Sequence, residues 1–300
     1  RLRRDGDPVN VVLWFASIVY LLAVEVPLYF PDLFGIRDHV GIVFAHNVFA
    51  VQFLFDRLPL YIVALYPALA MLAYELVRAL GVFRDRGIVI GAVCVGFVHH
   101  CFYEVFDQLG PQLRWWAWNT DNPLNHPMLA SVPMTSVVIF AALGPGVLVV
   151  LVKVLVRDGR TYPTAALLWR TVIAGMLVPV GVAFLSIPFS IFGGEHPNTA
   201  AQAIVFTVEL VVIAGIAAVP SVSIGRRSWA LIAGLAVFAA ADITDADQFG
   251  AAVPFLGAGV EGRPVLVWGG GTVGLFCALF ARQGGASEIV VVDPSPWRQD

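Results

Sequence analysis

The 300-residue chain is 59% hydrophobic and only 13% charged, and its mean hydropathy is +0.82. A soluble domain carries about 25% charged and about 45–50% apolar residues. The composition therefore excludes an ordinary soluble protein and predicts a polytopic membrane protein whose main partner is the lipid bilayer. The net charge of −3 and the lack of a long basic run argue against a nucleic-acid partner.

Six apolar stretches are long enough to cross about 30 Å of hydrocarbon. They lie at 10–30, 58–79, 88–106, 129–155, 165–192 and 200–220. Two further stretches, Val40–Phe55 and Ser228–Ala241, are shorter. Segments of that length are more often re-entrant, interfacial or core helices than spans. Six spans are therefore predicted, and Ser228–Ala241 is left open as a short seventh.

Basic residues fall in alternate loops between these spans. They are Arg1, Arg3 and Arg4, then Arg78, Arg84 and Arg86, then Lys153, Arg157, Arg160 and Arg170, and finally Arg226 and Arg227. The positive-inside rule assigns such loops to the cytoplasm. We therefore expect a multi-pass protein of the cell membrane with a cytoplasmic N-terminus.

Ionisable side chains within spans are costly and are candidates for function. In the third span His100, Glu104 and Asp107 are spaced i, i+4 and i+7, which places them on one helix face near the non-cytoplasmic end. A carboxylate from a neighbouring span, Glu75 or Glu25, could complete an acid–base site. The candidate catalytic residues are therefore His100, Glu104, Asp107 and Glu75.

The same residues allow two other interpretations. Histidine with carboxylates suits zinc or iron, and an interhelical hydrogen-bond network near the interface is the simplest alternative. No second histidine-rich motif completes a coordination set in the sequence, so no metal ligand is assigned.

The loop from Asp107 to His126 combines tryptophans with polar residues. It contains Trp115, Trp116, Trp118, Asn119, Asp121, Asn122, Asn125 and His126. Tryptophans at this depth typically form an interfacial belt, but the polar residues beside them could also floor a pocket. The order of an Asp-initiated loop, Trp116-x-Trp118 and then Pro133 at the start of a span resembles the membrane carotenoid hydratases. That resemblance implies that a buried carboxylic acid protonates an alkene.

The character of the sequence changes at Asp242, where three aspartates arrive within six residues. The predicted organisation is a membrane domain at 1–241, a linker at 242–261 and a separate segment at 262–300. That segment reads as a strand from Pro264 to Trp268, a glycine turn, a helix at 275–283 and a second strand that ends at Asp293.

The glycine turn has the spacing of a dinucleotide-binding motif. Gly269 would permit the tight turn, Gly271 would let the backbone approach a pyrophosphate, and Gly274 would let the helix pack on the strand. The helix N-terminus would offer free N–H groups to the phosphates. Asp293 stands where a carboxylate would bind the ribose hydroxyls.

Residues 265–293, with Arg298 five positions further on, resemble the cofactor domain of the medium-chain dehydrogenase/reductase (zinc alcohol dehydrogenase) family. The resemblance covers about one seventh of the chain. It implies NAD as the cofactor, bound by Gly269, Gly271, Thr272, Val273, Gly274, Asp293 and Arg298. The zinc ligands and the later strands of that family have no counterpart in this sequence, so the β-α-β unit is expected to be truncated and unable to catalyse alone.

The expected fold is thus an all-α polytopic membrane bundle followed by a truncated β-α-β, Rossmann-like segment. Three functions stay open at this point. The chain could be part of a membrane-associated oxidoreductase, or a membrane-embedded enzyme that acts on a lipid or isoprenoid by acid–base chemistry. A transporter or assembly factor is the third, although no inverted repeat is visible in the sequence.

Overall fold

A computed structural model describes residues 6–48, 51–157, 159–194, 196–224, 262–268 and 286–292. The chain divides into two compact units, Arg1–Ile243 and Thr244–Asp300, and each is described by itself. The described part of the first unit is mostly helical.

Six long helices dominate the described part of the first unit. They are α1 (Val9–Tyr29), α3 (Leu60–Ala79), α4 (Val82–Gln112), α5 (Ser136–Leu155), α6 (Thr164–Leu185) and α8 (Thr199–Ile224), with the short helices α2 (Arg37–Val40) and α7 (Ile187–Ser190) between them. Each of the six contains a stretch long and apolar enough to cross a membrane. In the described residues these six helices correspond to the six predicted spans and are consistent with a multi-pass membrane protein.

The bounds of two spans differ from the prediction. Helix α4 continues to Gln112, so Asp107 lies on a helix and does not begin a loop. The same helix is kinked at Gly87, whose φ of 79° is a conformation that glycine adopts without steric penalty. Helix α5 starts at Ser136 because residues 128–133 form a short strand pair.

Close helix crossings set the position of the site. Helix α1 packs on α3 and α6, and α4 packs on α3, α5 and α8. A Cβ added at Gly96 of α4 would lie 2.5 Å from the carbonyl oxygen of Ala142 on α5. A Cβ added at Gly175 of α6 would lie 2.7 Å from the carbonyl oxygen of Ala16 on α1. Glycines at such crossings let helices approach closely in lipid.

The connections at one end of the bundle form short antiparallel strand pairs. They are β1 (Phe44–His46) with β4 (Trp116–Trp118), β2 (Gln52–Phe53) with β3 (Leu58–Pro59), and β5 (Met128–Leu129) with β6 (Val132–Pro133). The stretch Val40–Phe55 was predicted not to span the membrane, which is confirmed. It contains strands and turns, where a re-entrant or interfacial helix was expected, because its residues pair with the Trp116–Trp118 strand and with Leu58–Pro59.

In the second unit, β7 (Pro264–Trp268) and β8 (Glu288–Val292) are parallel neighbours, with Pro264 opposite Glu288 and Trp268 opposite Val292. Both strands were predicted. A pair of strands is not yet a Rossmann-like unit, so that finer assignment stays a prediction. Several predicted features lie outside the described residues: Gly269, Gly271, Thr272, Val273, Gly274, Asp293, Arg298, the linker at 242–261 and the stretch Ser228–Ala241.

Candidate active site

Two carboxyl groups from different helices open onto one cavity. Glu25 of α1 is 7% exposed and Asp107 of α4 is 2% exposed. Both line a cavity with a volume of about 40 Å³. The other residues around it are Phe44, His46, Ile62, Leu65, Tyr66, Tyr103, Phe106, Trp116, Trp118, Ser136 and Phe140. The site is therefore built from α1, α3, α4, α5 and the β1–β4 strand pair.

Asp107 is held by the first residue of α5. The Ser136 hydroxyl donates a 2.6 Å hydrogen bond to Asp107 Oδ2. The first part of α5, Ser136–Leu143, is a π-helix, and the N–H of Gly144 accordingly bonds the carbonyl of Ile139. Short π-helical turns inside α-helices occur frequently at functional sites.

Glu25 is held on one side only. The Tyr66 hydroxyl donates a 2.8 Å hydrogen bond to Glu25 Oε1. The other oxygen, Oε2, is buried and has no hydrogen-bond partner among the described residues. Within the same ranges no Lys, Arg or His forms an ion pair with Glu25. Glu25 is thus a buried carboxyl group whose Oε2 makes no well-formed hydrogen bond among the described residues, with the Tyr29 hydroxyl as its polar neighbour.

More polar atoms around this cavity lack partners in the described part of the chain. They are His46 Nδ1, Trp118 Nε1 and the hydroxyl of Tyr29. Tyr29 belongs to the same wall, since its ring lies 5.4 Å from that of Phe44 and 5.9 Å from that of His46. Buried polar groups nearly always find a hydrogen-bond partner. Their concentration here indicates a site for a polar ligand group or ordered water.

Aromatic rings form much of the cavity wall. The ring centroids of Phe44 and Trp118 are 5.4 Å apart, and those of Phe106 and Trp116 are also 5.4 Å apart. Aromatic faces attract positive charge. Burial lowers the pKa of His46 to about 4, so its imidazole is neutral near pH 7 and adds no competing cation. The wall suits a substrate that becomes positively charged during reaction.

Three asparagines fix the β1–β4 roof of the cavity. The side-chain amides of Asn119, Asn122 and Asn125 donate to backbone carbonyls in the segment 40–43 at 2.7–2.9 Å. Trp116 and Trp118 line the cavity. The polar residues that the sequence offered as a pocket floor are not among its lining residues; they are Asn119, Asp121, Asn122, Asn125 and His126. His126 lies apart from this wall and bonds the Thr120 carbonyl at 2.8 Å.

The predicted face of α4 is buried, but only part of it reaches the cavity. Asp107 lines the cavity, whereas His100 and Glu104 are not among its lining residues. His100 Nδ1 donates to the Val137 carbonyl at 3.1 Å and lies 3.6 Å from Glu104 Oε1. A carbonyl oxygen can only accept, so the proton of a neutral His100 is on Nδ1. His100 thus joins α4 to the π-helical part of α5.

Glu75 lies at the opposite end of the bundle. The Asn10 side chain donates to Glu75 Oε1 at 2.7 Å, and Arg78 Nε donates to Oε2 at 3.1 Å. With a helical rise of about 1.5 Å per residue, Asn10 and Glu25 are about 22 Å apart along α1. The structure therefore does not bring Glu75 to His100, Glu104 and Asp107, and of the two carboxylates considered it is Glu25 that lies beside Asp107.

A second chamber continues from the first. It has a volume of about 10 Å³ and shares Leu65, Tyr66, Tyr103 and Phe140 with the first cavity. Its polar lining includes Ser17, Tyr20 and His99. His99 Nδ1 donates to the Ala141 carbonyl at 2.7 Å. The two cavities therefore lie next to each other in the bundle.

Sequence reasoning missed His46, Tyr66, Tyr103 and Ser136. Tyr66 and Tyr103 carried a usable signal, because each is a polar-tipped aromatic residue in the middle of a predicted span. His46 and Ser136 carried none, since their roles depend on pairing between distant segments.

Among the described residues, no group of three or more His, Cys, Asp and Glu side chains is placed to hold a metal ion. No protein-family model and no solved structure matches the chain. The geometry of the cavity is therefore the basis on which function is assigned.

Proposed function

We propose that this chain is a membrane-embedded enzyme that acts on a lipid or isoprenoid double bond by acid–base chemistry. The observation that carries the proposal is one aromatic cavity with two buried carboxyl groups, Glu25 and Asp107, surrounded by polar atoms that lack partners within the described ranges. Apolar walls suit a hydrocarbon substrate, and the few polar atoms would orient it.

Glu25 is assigned as the general acid. Its Oε1 accepts from Tyr66, which leaves Oε2 to carry the proton toward the substrate. Two carboxyl groups that share one cavity disfavour two charges, so the proposed resting state holds one proton, on Glu25, and one charge, on Asp107, whose carboxylate accepts from the Ser136 hydroxyl. Transfer of the proton to one alkene carbon breaks the O–H bond, forms a C–H bond and leaves a cation on the neighbouring carbon. The faces of Trp116 and Trp118 would stabilise that cation.

Asp107 is assigned as the general base that completes the reaction. As a carboxylate held by Ser136, it would take a proton from an attacking water, which gives an alcohol, or from an adjacent carbon, which moves the double bond. Passage of a proton from Asp107 back to Glu25 then restores the starting state. Both outcomes conserve atoms and need no oxidant or reductant.

An interhelical hydrogen-bond network is the main alternative for these residues. Such a network stabilises a bundle when its members bond one another. His99 and His100 behave in this way, because each donates to a carbonyl of α5. Glu25, His46 and Trp118 do not, since each keeps an unpaired polar atom at the cavity among the described residues. A hydrogen-bond network therefore accounts for His99 and His100 of α4, whereas the proposed enzyme accounts for the unpaired polar atoms at the cavity.

Deuterium incorporation tests the proposal with a mixture of candidate substrates. Membranes with the full chain would be incubated in D₂O with an extract of isoprenoid and unsaturated lipids. Products that carry a carbon-bound deuterium would be identified by mass spectrometry. We expect such products from the wild-type chain and their loss in Glu25→Gln.

Glu75→Gln is the matched control, because it makes the same substitution in a membrane helix at the other end of the bundle. It should give the wild-type product pattern. The proposal is contradicted if Glu25→Gln retains full deuterium incorporation, or if the wild-type chain gives no deuterated product from any lipid fraction.

NAD binding by the second unit is a second candidate function. The observation that favours it is the parallel pairing of β7 with β8, the arrangement that a β-α-β unit requires. Titration of NAD⁺ against the full chain in detergent would test it, with Gly271→Val and Asp293→Ala expected to lose binding. Absence of wild-type binding at millimolar NAD⁺ would contradict this candidate and leave the cavity proposal untouched.

A further inference from the structure

A groove of about 800 Å³ lies at the opposite end of the bundle from the carboxyl cavity. It is lined by four basic residues, Arg78, Arg84, Lys153 and Arg157, by one acid, Asp7, and by Gly81, Phe83, Ile88 and Val154. The lining residues come from the start of α1, the α3–α4 turn and the end of α5. We name it the basic groove.

Positive charge exceeds negative charge in the basic groove. Two of its arginines have acidic neighbours, since Arg78 bonds Glu75 and Arg84 bonds Asp85 at 2.8 Å. With those acids included, the groove and its bonded neighbours hold four basic and three acidic residues among those that the structure describes. Arginine guanidinium groups match the geometry of phosphate oxygens and bind them with paired hydrogen bonds. The charge and the donors of the groove therefore fit a phosphate group.

An apolar surface adjoins the basic side chains. Val154 is 59% exposed, and Ile88 and Val89 are also exposed. These residues belong to α4 and α5, near the ends of two membrane-crossing helices. At that depth the hydrocarbon of a bilayer meets its headgroups. A basic cluster beside exposed apolar side chains thus matches a molecule with a phosphate head and an acyl tail.

We propose that the basic groove binds the phosphate of an anionic phospholipid, with Arg84 and Arg157 at the headgroup and an acyl chain along Ile88 and Val154. This site is separate from the carboxyl cavity and does not depend on the proposed enzymatic function. Soluble phosphate offers the same charge, but it makes no use of the apolar surface. The lipid is therefore the favoured source of the phosphate.

Lipid retention measured by native mass spectrometry tests this site. The full chain would be extracted from vesicles of phosphatidylglycerol and phosphatidylcholine in equal amounts, and the retained lipids would be counted. We expect preferential retention of phosphatidylglycerol. Each basic charge near an anionic lipid surface contributes about 1 kcal/mol, so Arg84→Gln and Arg157→Gln should each lower retention about fivefold.

Both arginines are exposed, and Arg37→Gln is the matched control because Arg37 is an exposed arginine in a different segment. Arg157→Lys, which keeps the charge, should retain most of the binding. Equal retention of the two phospholipids, or an equal loss in Arg37→Gln, would overturn the proposal. Displacement of the retained phosphatidylglycerol by millimolar inorganic phosphate would assign the groove to a soluble anion and would also overturn it.

Discussion

Glu25 and Glu75 are glutamates of neighbouring membrane helices, yet their surroundings differ in almost every respect. Glu75 is 32% exposed and pairs with Arg78, which is 30% exposed, while Asn10 adds a further hydrogen bond. Glu25 is buried, accepts from the neutral Tyr66, and leaves one oxygen without a partner among the described residues.

The difference shows how to separate structural from functional charges in a membrane protein. An ionisable residue in a span is a functional candidate by default, and both glutamates qualify on the sequence. The two glutamates differ in whether hydrogen-bond partners account for both oxygens of the carboxyl group. The partners of Glu75 account for both of its oxygens, whereas those of Glu25 leave a polar atom directed to a cavity. We therefore expect substitutions at the two ends of the bundle to differ in the size of their effects on activity and stability.

The largest expected effect is on turnover at the carboxyl end. Asp107→Asn keeps the size of the side chain and an oxygen for Ser136, but removes the basic carboxylate. General acid–base groups contribute about 10²–10⁴-fold to rate, so deuterium incorporation should fall by that factor. Asp121→Asn, an exposed change in the roof, should leave the rate unaltered. Equal rates for Asp107→Asn and the wild-type chain would remove Asp107 from the site.

The next effect concerns the aromatic wall. Trp116 is buried, and its ring packs so tightly on α4 that a Cβ at Gly110 would lie 2.0 Å from it. Trp116→Ala should therefore destabilise the fold by about 3–5 kcal/mol, measured by thermal unfolding in detergent. Trp169→Ala, an exposed tryptophan of α6, is the control and should change stability by less than about 1 kcal/mol.

The pH dependence of stability tests the environment of His46. Burial lowers its pKa from 6.5 to about 4, so the unfolded chain binds a proton more readily than the folded one between these values. The stabilisation from neutral His46 is complete above about pH 6.5 and is lost as pH falls toward 4. The loss should reach about 3 kcal/mol. His46→Phe should flatten this part of the stability profile, and an unchanged slope in the variant would contradict the assignment.

The smallest effect is expected at the Glu75 end. Surface ion pairs contribute about 0–1 kcal/mol, and both partners here are about one third exposed. A double-mutant cycle of Glu75→Gln and Arg78→Gln, followed by thermal unfolding, should give a coupling energy below about 1 kcal/mol. A coupling energy of several kcal/mol would contradict the assignment of Glu75 and Arg78 as a weak, partly exposed ion pair.

Much of the bundle was predictable because hydropathy and helix length have a direct physical link to the bilayer. The face of His100, Glu104 and Asp107 followed from helical spacing. The sequence was also sufficient to predict at which end of the bundle Glu75 lies. Glu25 and Glu75 are both near the C-terminal ends of consecutive spans, and consecutive spans run in opposite directions, so these residues belong at opposite ends.

The parts that sequence could not supply depend on contacts between distant segments. His46 reaches the cavity because β1 pairs with β4, about seventy residues further along the chain. Ser136 meets Asp107 because a π-helical turn begins α5, and nothing in the run of apolar residues after Ser136 marks that change from an α-helix. Neither hydropathy nor spacing encodes such pairings.

The π-helical turn also ties the chemistry of the site to the exact number of residues in α5. Each hydrogen-bonded ring in Ser136–Leu143 holds one residue more than an α-helical ring. Deletion of a single residue there would let the segment close into an α-helix and rotate Ser136 by about 100° relative to Gly144. The composition and length of the span would hardly change, yet Asp107 would lose its hydroxyl partner. The number of residues in α5, more than their types, would then distinguish related chains that keep this site from those that lose it.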